Sequence, residues 1–354
     1  MTPNKKGLST VITSLIIILL VLVAVGIVWV VIRNVISEGA EQVSLGKFMI
    51  DLKIKDVSVN PGDIDVKVKR NPGQGELTGI KFLIGDGINV QEFEEPTNIG
   101  ELGETTFTLN YTGLVKEISI APILKSGSGK DSVGNEIDKK VFSNKEIIEN
   151  MGAVSWWKLD GNANDEIGNN DGTIIGANCN VDGKFGKACD FDGSSNYIDT
   201  GSDSSLKLTG DKTLVAWIKI SADPFPPVSD NWEIMGSEIY QVSGFIWRVD
   251  GHNQKPIFRN DQSGTSTYRT ANTALSNNVF YHVTVVVSSG QVTFYLDGNP
   301  DGGGSITPPV QATTNLMIGG NSNQKFDGTI DEPMIFNRAL SEEQVKALYN
   351  LDLS

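Results

Sequence analysis

The sequence predicts a mainly β protein that begins with one long hydrophobic helix and continues as two β-sandwich domains. Three observations indicate this fold class. Residues 8–32 contain no charged side chain, apolar and polar residues alternate over much of the remaining chain, and 38 glycines help to separate the alternating stretches. The predicted units are a basic leader at residues 1–7, a hydrophobic helix at 8–36, a small β-sandwich at 45–144, a linker at 145–152 and a second β-sandwich at 153–354.

Residues 8–32 are long enough to cross a membrane. As a helix they extend about 37 Å, more than the roughly 30 Å of bilayer hydrocarbon. Lys5 and Lys6 precede them and an acidic remainder follows, so the positive-inside rule predicts a cytoplasmic N-terminus and an extracellular remainder. A secretion signal would have a shorter apolar core and a small-x-small cleavage site, which this stretch lacks.

The stretch "KKGLSTVITSLIIILL" resembles the N-terminus of archaeal type IV pilins and archaellins, in which a short basic leader ends in glycine before an apolar helix. The resemblance implies that a prepilin peptidase cuts between Gly7 and Leu8 and that the released helix packs with other copies in a filament core. Bacterial pilins usually carry Glu at the mature fifth position, which is Ile12 here. An uncleaved single-pass membrane anchor is the alternative.

The region at 45–144 alternates with the period of a β-strand. Its apolar residues recur at every second position, as in Phe48, Ile50, Leu52 and Ile54, and stretches such as "NPGD" and "NPGQGE" are typical of turns. About seven short strands of this kind predict a small immunoglobulin-like β-sandwich, which fits the head of an archaeal pilin. Asn110 begins a glycosylation sequon, and outside the cell it is a usable acceptor.

Several segments after residue 153 resemble the laminin G-like jelly roll of the concanavalin A-like superfamily. They are "VDGKFGKACDFDGSSNYIDT", "KTLVAWIKIS", "VFYHVTVVVSSGQVTFYLDGN" and "LMIGGNSNQKFDGTIDEPMIFNRALSEEQVKALYN". The residue pattern agrees, because the alternation on both sides of the Ser-Ser-Gly turn predicts a hairpin with one buried face. Ser341 and Gln344 predict a capping box for a short closing helix. We expect Trp217 and His282 to have packing roles.

Cys179 and Cys189 flank a predicted hairpin connection. Two cysteines in this arrangement outside the cell favour a disulfide that serves structure, with buried free thiols as the alternative.

Two groups of residues are candidates for binding. The stretch "LDGNANDEIGNNDG" supplies oxygen ligands suited to calcium, and many laminin G-like domains hold this ion, some through an Asp in the closing segment. The candidate ligands are Asp160, Asp165 and Asp331, although such Asp and Gly residues equally build turns. Aromatic and charged loop residues are candidates for contact with a sugar or protein. These are Trp232, Tyr240, Arg259 and Tyr268.

Composition and motifs argue against two classes of function, nucleic-acid binding and catalysis. With 43 acidic and 29 basic residues and a net charge of −14, the chain supplies no basic surface for nucleic acid. No paired-carboxylate motif, nucleophile with a base or metal triad is legible, so we expect no enzymatic activity. The sequence predicts a surface-exposed pilin-like filament subunit whose laminin G-like domain binds a glycan or a surface protein. An uncleaved surface lectin is the second hypothesis, and a glycan-active enzyme of concanavalin A-like fold is the third.

Overall fold

The computed structural model describes residues 50–60, 62–73, 75–87, 89–125, 129–221, 231–320 and 324–354. The predicted leader at 1–7, the cleavage site between Gly7 and Leu8 and the helix at 8–36 lie outside the described residues. Neither α-helix within the described ranges has the length and apolar content needed to cross a membrane.

The first half of the described chain folds as two packed antiparallel sheets. One sheet has the order β1-β2-β5, and the other has the order β4-β3-β6-β7, with β8 also paired to β6. The alternation found in the sequence places residues such as Val66 and Phe82 between the sheets, where both are fully buried. The strands are β1 (Leu52–Asn60), β2 (Asp63–Arg70), β3 (Leu77–Gly85), β4 (Val90–Pro96), β5 (Glu104–Asn110), β6 (Glu117–Lys125), β7 (Asp131–Val133) and β8 (Asp138–Val141).

The second half folds as a larger sandwich of antiparallel sheets. A seven-stranded sheet has the order β10-β13-β22-β15-β16-β17-β18, and an eight-stranded sheet contains β11-β12-β23-β14-β19-β20-β21 with β9 paired to β23. The strands are β9 (Ala153–Trp156), β10 (Thr173–Ile175), β11 (Asn178–Asp182), β12 (Lys187–Asp192), β13 (Tyr197–Asp199), β14 (Lys212–Ile220), β15 (Asn231–Gly236), β16 (Phe245–Asp250), β17 (Pro256–Gln262), β18 (Thr265–Thr270), β19 (Phe280–Ser288), β20 (Gln291–Leu296), β21 (Asn299–Ser305), β22 (Met317–Ile318) and β23 (Asp327–Phe336).

Two short α-helices in the described part of the chain connect and close the sandwiches. Helix α1 (Asn144–Asn150) occupies most of the predicted linker at 145–152, and its Ile147 and Ile148 are buried. Helix α2 (Glu342–Tyr349) follows β23 and has the predicted capping box, in which Ser341 accepts from the Gln344 backbone N–H. Both segments are therefore packed parts of the fold.

Apolar residues form two cores. One fills the space between the sheets of the second sandwich and includes Trp247, Phe258 and Phe294. The other begins between the sheets of the first sandwich and continues through α1 and α2 to the outer face of the eight-stranded sheet, where it includes Val215 and Met334. Because the core that begins in the first sandwich is continuous with the outer face of the eight-stranded sheet, the two sandwiches share buried apolar surface.

Candidate functional site

A groove of about 1030 Å³ lies on the outer face of the seven-stranded sheet. Strand parity explains its lining: Trp247 and Val249 of β16 belong to the inter-sheet core, so Arg248 between them points the opposite way. The same parity turns Phe258 inward and Arg259 of β17 toward the groove. Polar residues on the lining are Ser195, Asn231, Ser237, Thr314, Asn315 and Gln324, and the charged and aromatic ones are Tyr197, Glu238, Tyr240, Arg248, Arg259 and Lys325.

A buried ion-pair network fixes one end of the groove. The Arg259 guanidinium contacts the Glu238 carboxylate through Nη2 and donates from Nε to Asp261 Oδ2 at 3.1 Å. The other Asp261 oxygen accepts the Gln241 backbone N–H at 2.9 Å, which holds the Tyr240 turn so that its ring lies 4.9 Å from the Arg259 carbon Cζ. Burial, together with the adjacent Asp261, raises the pKa of Glu238 to about 7.

Two further cations line the groove. Arg248 donates from Nη1 to Gln324 Oε1 at 2.9 Å, and Lys325 donates to the Gly320 carbonyl at 3.2 Å. The Lys325 ammonium also lies 3.9 Å from the centre of the Tyr197 ring, a cation–π contact. Burial lowers the pKa of Arg248 and of Lys325. Together with Arg259, they place three cationic groups along one surface.

The structure brings together three of the four predicted contact residues. Tyr240 and Arg259 line the groove, and Tyr268 is the partner of Arg259 in the pairing of β17 with β18. Tyr240 and Tyr268 are 60% and 57% exposed. Trp232 is only 5% exposed and packs in the inter-sheet core, so its expected exposure is wrong. The reason is that Trp232 lies opposite Val249 in the pairing of β15 with β16, and directly opposed residues face the same side of a sheet, here the core.

Sequence reasoning missed Arg248, Lys325, Tyr197 and Glu238. A signal was present for Arg248, because in "FIWRVD" a lone cation stands between two apolar residues of the opposite strand face. The other three come from different strands and loops that only the sheet order brings together.

The predicted calcium ligands do not form one site. Among the described residues, no group of three His, Cys, Asp or Glu side chains is arranged to hold a metal ion. The carboxylate oxygens accept hydrogen bonds from backbone N–H groups instead. Asp165 accepts those of Trp156, Ile167 and Asn170, and Asp160 accepts that of Lys187. The alternative role of building turns therefore describes Asp160 and Asp165 better. Calcium binding stays a prediction, and the described residues offer no cluster of ligands for it.

Asp331 holds the turn that contains the Gly-Lys-Phe-Gly motif. Its Oδ2 accepts the backbone N–H groups of Lys184 and Phe185 at 2.7 and 3.0 Å. A Cβ on Gly183 would lie 2.6 Å from that same oxygen, so only glycine fits there. Asp331 is fully buried, and burial raises its pKa to about 7. Its role is to fasten a turn to β23.

Trp217 and His282 lie on the same outer face of the eight-stranded sheet as Asp331. The two rings are 5.1 Å apart, and each is 5.7 Å from the ring of Tyr349 in α2. His282 is buried, and burial lowers its pKa to about 3, so it is a neutral packing group near neutral pH. Both predicted packing roles are confirmed.

Two other predicted sites have clear positions. Cys179 and Cys189 form the predicted disulfide, which joins β11 to β12. Asn110 is exposed at the end of β5 and borders a cleft whose far side is formed by Glu343 and Ala347 of α2. Its glycosylation stays a prediction.

Comparison with known proteins identifies the class of the second sandwich. Residues 192–346 match the concanavalin A-like lectin/glucanases superfamily, and this region is a laminin G-like domain. A stretch of 147 residues is 32% identical to the adhesion G-protein coupled receptor V1 of Danio rerio. That stretch is 39% of this chain but only 2% of the receptor, so the chain spans a very small part of that relative.

Two solved structures illustrate the similarity at low sequence identity. The binding domain of botulinum neurotoxin serotype G is 15% identical, with a TM-score of 0.45 over 56% of this chain and 50% of that one. Domain 4 of an arabinanase from Geobacillus stearothermophilus, solved with arabinotriose, is 20% identical, with a TM-score of 0.42 over 56% of this chain and 98% of that one.

Proposed function

We propose that this protein is a cell-surface binding protein whose laminin G-like domain holds an extracellular glycan in the groove of the seven-stranded sheet. The observation that carries this proposal is the groove itself, in which Tyr240 lies over a buried Arg259 that two carboxylates fix in place. A pre-organised surface of this kind loses little conformational entropy on binding. Aromatic faces pack against sugar rings, and the surrounding amides and hydroxyls suit sugar hydroxyl groups.

The arrangement of the two sandwiches favours display of the groove. The outer face of the eight-stranded sheet contributes to the core shared with the first sandwich. The groove lies on the opposite outer face of the second sandwich, so a ligand can reach it without displacing that packing.

The wider role that we propose is adhesion by a pilin-like filament subunit. Its support is the resemblance of the "KKGLSTVITSLIIILL" stretch to archaeal pilins, and the uncleaved membrane-anchored lectin is the alternative. Mass spectrometry of the protein from its native cell distinguishes them. A mature chain that begins at Leu8 and is found in filaments supports the subunit, whereas an intact Met1 contradicts it.

Binding without hydrolysis is the activity that we propose for the groove. Glu238 and Asp261 both pair with Arg259, so neither carboxylate is free to act on a glycosidic bond while the network is intact. Release of reducing sugar from a bound glycan by the purified protein would contradict this part of the proposal and favour an enzyme.

A glycan array with the purified full-length chain in detergent micelles tests the proposal. We expect binding to a defined set of glycans, and we expect Tyr240→Ala to weaken it by at least about tenfold through loss of ring contact. Val279→Ala is the control, because Val279 is an exposed apolar residue of the same domain that does not line the groove. Absence of glycan binding, or equal binding by Tyr240→Ala, contradicts the proposal.

A further inference from the structure

We infer that the glycan recognised in the groove is anionic and carries a carboxylate or sulfate group that Arg248 and Lys325 bind. This inference rests on the proposed function, because it names the ligand class of the same groove. It also runs against the charge of the whole chain, which is −14. General attraction of the protein for polyanions is therefore unfavourable, and recognition of an anion requires a local site.

One N–H group of the Arg248 guanidinium has no hydrogen-bond acceptor in the described part of the chain. The guanidinium donates a hydrogen bond from Nη1 to Gln324. Its Nε is shielded from solvent and has no hydrogen-bond acceptor among the described residues. A buried donor without an acceptor is costly, and an incoming acceptor removes that cost. Arginine presents its donors as a planar fork that matches the two oxygens of a carboxylate or sulfate. The Arg248 side chain is thus prepared for an anion.

Lys325 supplies a second charge. The residue is only 7% exposed, and its ammonium donates to the Gly320 carbonyl while lying over the Tyr197 ring. The acceptors that hold the two cations, Gln324 Oε1 for Arg248 and the Gly320 carbonyl for Lys325, are neutral, so an anionic ligand would add a directly bonded counter-charge.

Several carboxylates lie near the groove, but among the described residues only Glu238 reaches its lining. Glu233 faces Arg248 across the pairing of β15 with β16 and is fully buried, as is Asp261. Glu238 is engaged by Arg259. Glu233 and Asp250 interact electrostatically with Arg248, and Glu233 and Asp192 do so with Lys325. Asp199 accepts two hydrogen bonds from the Asn315 amide. Of the described side chains that line the groove, three are cationic and one, Glu238, is acidic.

Matched ligands with and without charge test the inference directly. Oligogalacturonate and its methyl ester differ only in the carboxylate, and sulfated galactan oligomers and their desulfated form differ only in the sulfate. We measure the binding of each to the full-length chain by isothermal titration. We expect at least about tenfold tighter binding of one charged member over its neutral partner. Whichever charged member binds identifies the anionic group.

Variants assign the effect to the two cations. We expect Arg248→Gln and Lys325→Met each to reduce binding of the charged ligand by about tenfold or more, and Arg248→Lys to rescue only part because the fork is lost. Arg269→Gln is the control, since Arg269 lies on β18 of the same sheet and does not line the groove. Circular dichroism melting confirms that each variant is folded, and the ligand comparison with the unaltered chain requires no variant.

The outcomes separate the inference from the proposed function. If charged and neutral members bind equally well, or if the array selects only neutral glycans, the inference is wrong and the glycan-binding function stands. If no glycan binds in either experiment, the proposed function fails and the inference fails with it. If the charged member binds and all groove variants bind as well as the Arg269→Gln control, the anion lies elsewhere and the inference is again wrong.

Discussion

Individual buried titratable side chains give the second sandwich its response to pH. Asp331, Glu332 and His282 are each no more than 1% exposed on the outer side of the eight-stranded sheet. Burial, together with the neighbouring Asp331, raises the pKa of Glu332 to about 9, whereas burial lowers that of His282 to about 3. A raised acid pKa favours folding at low pH, and a lowered histidine pKa favours folding above about pH 6.5, so the two effects oppose each other in weak acid.

Replacement of Asp331 by Asn tests the first of these effects. An unfolded aspartate ionises near pH 4, and Asp331 ionises near pH 7 in the folded chain, so its contribution to stability is present below about pH 4 and is lost as the pH rises through 7. Between pH 4 and 8, ionisation of Asp331 should lower the unfolding free energy of the wild type by about 2–4 kcal/mol. We expect this decrease to be absent in Asp331→Asn when both proteins are unfolded in urea at each pH. Exposed Asp56→Asn is the control. A variant whose unfolding free energy follows the wild-type pH profile would refute this assignment.

Residue exposure was the least predictable property of the site. Tyr240 and Trp232 stand in the same Pro- and Ser-containing segment, yet one is exposed and the other is core. The difference depends on the register of β15 with β16, in which Trp232 lies opposite the core residue Val249, and a slip of that pairing by one residue would move every side chain of β15 to the other face. Arg259 was predicted from its charge, but its ion pairs with Glu238 and Asp261 follow from tertiary packing alone.

Elements with strong local signals were predicted well. The Ser341–Gln344 capping box, the hairpin of β19 and β20, and the disulfide between β11 and β12 all appear in the structure. Each depends on residues that are close in sequence, so local chemistry determines it. The order of strands in the seven-stranded sheet depends on contacts between distant segments, such as β13 with β22, and no local pattern predicts that pairing.

The disulfide between β11 and β12 should stabilise the folded protein. It closes a short connection between β11 and β12, with a sequence separation of 10 residues, and such a loop gains about 2–3 kcal/mol by restricting the unfolded chain. We expect the double variant Cys179→Ala, Cys189→Ala to lose about that much unfolding free energy in urea. Reduction of the wild-type disulfide with dithiothreitol is the matched control. Unchanged stability of both the variant and the reduced protein would contradict the prediction.

At the scale of the whole molecule, the shared core couples the two sandwiches. Leu351 and Leu353 follow α2 and are buried in it, and the Asn144 side-chain amide of α1 donates to the Asp352 carbonyl at 2.8 Å. Arg338 adds a second link, because its Nε donates to the Met151 carbonyl at 2.8 Å. The sequence predicted two domains joined by a linker, and it offered no pattern that reveals these contacts across the joint.

Leu353→Ala tests the coupling. Removal of a buried leucine side chain costs about 2–3 kcal/mol, and a shared core passes part of that loss to both sandwiches. We expect faster hydrogen exchange at the amides of Ile118 in the first sandwich and Val215 in the second. Exposed Val279→Ala should change neither. An effect confined to Val215 would show that the sandwiches unfold independently.

We propose that a glycan binds in the groove of the seven-stranded sheet. The most direct test is to locate a glycan selected on the array in a crystal structure of its complex with the full-length chain. We expect density between Tyr240 and Lys325, with a carboxylate or sulfate group within hydrogen-bond distance of the Arg248 guanidinium. Density at the turn near Asp331, at the cleft beside Asn110 or on any other surface, with the groove left empty, would contradict it.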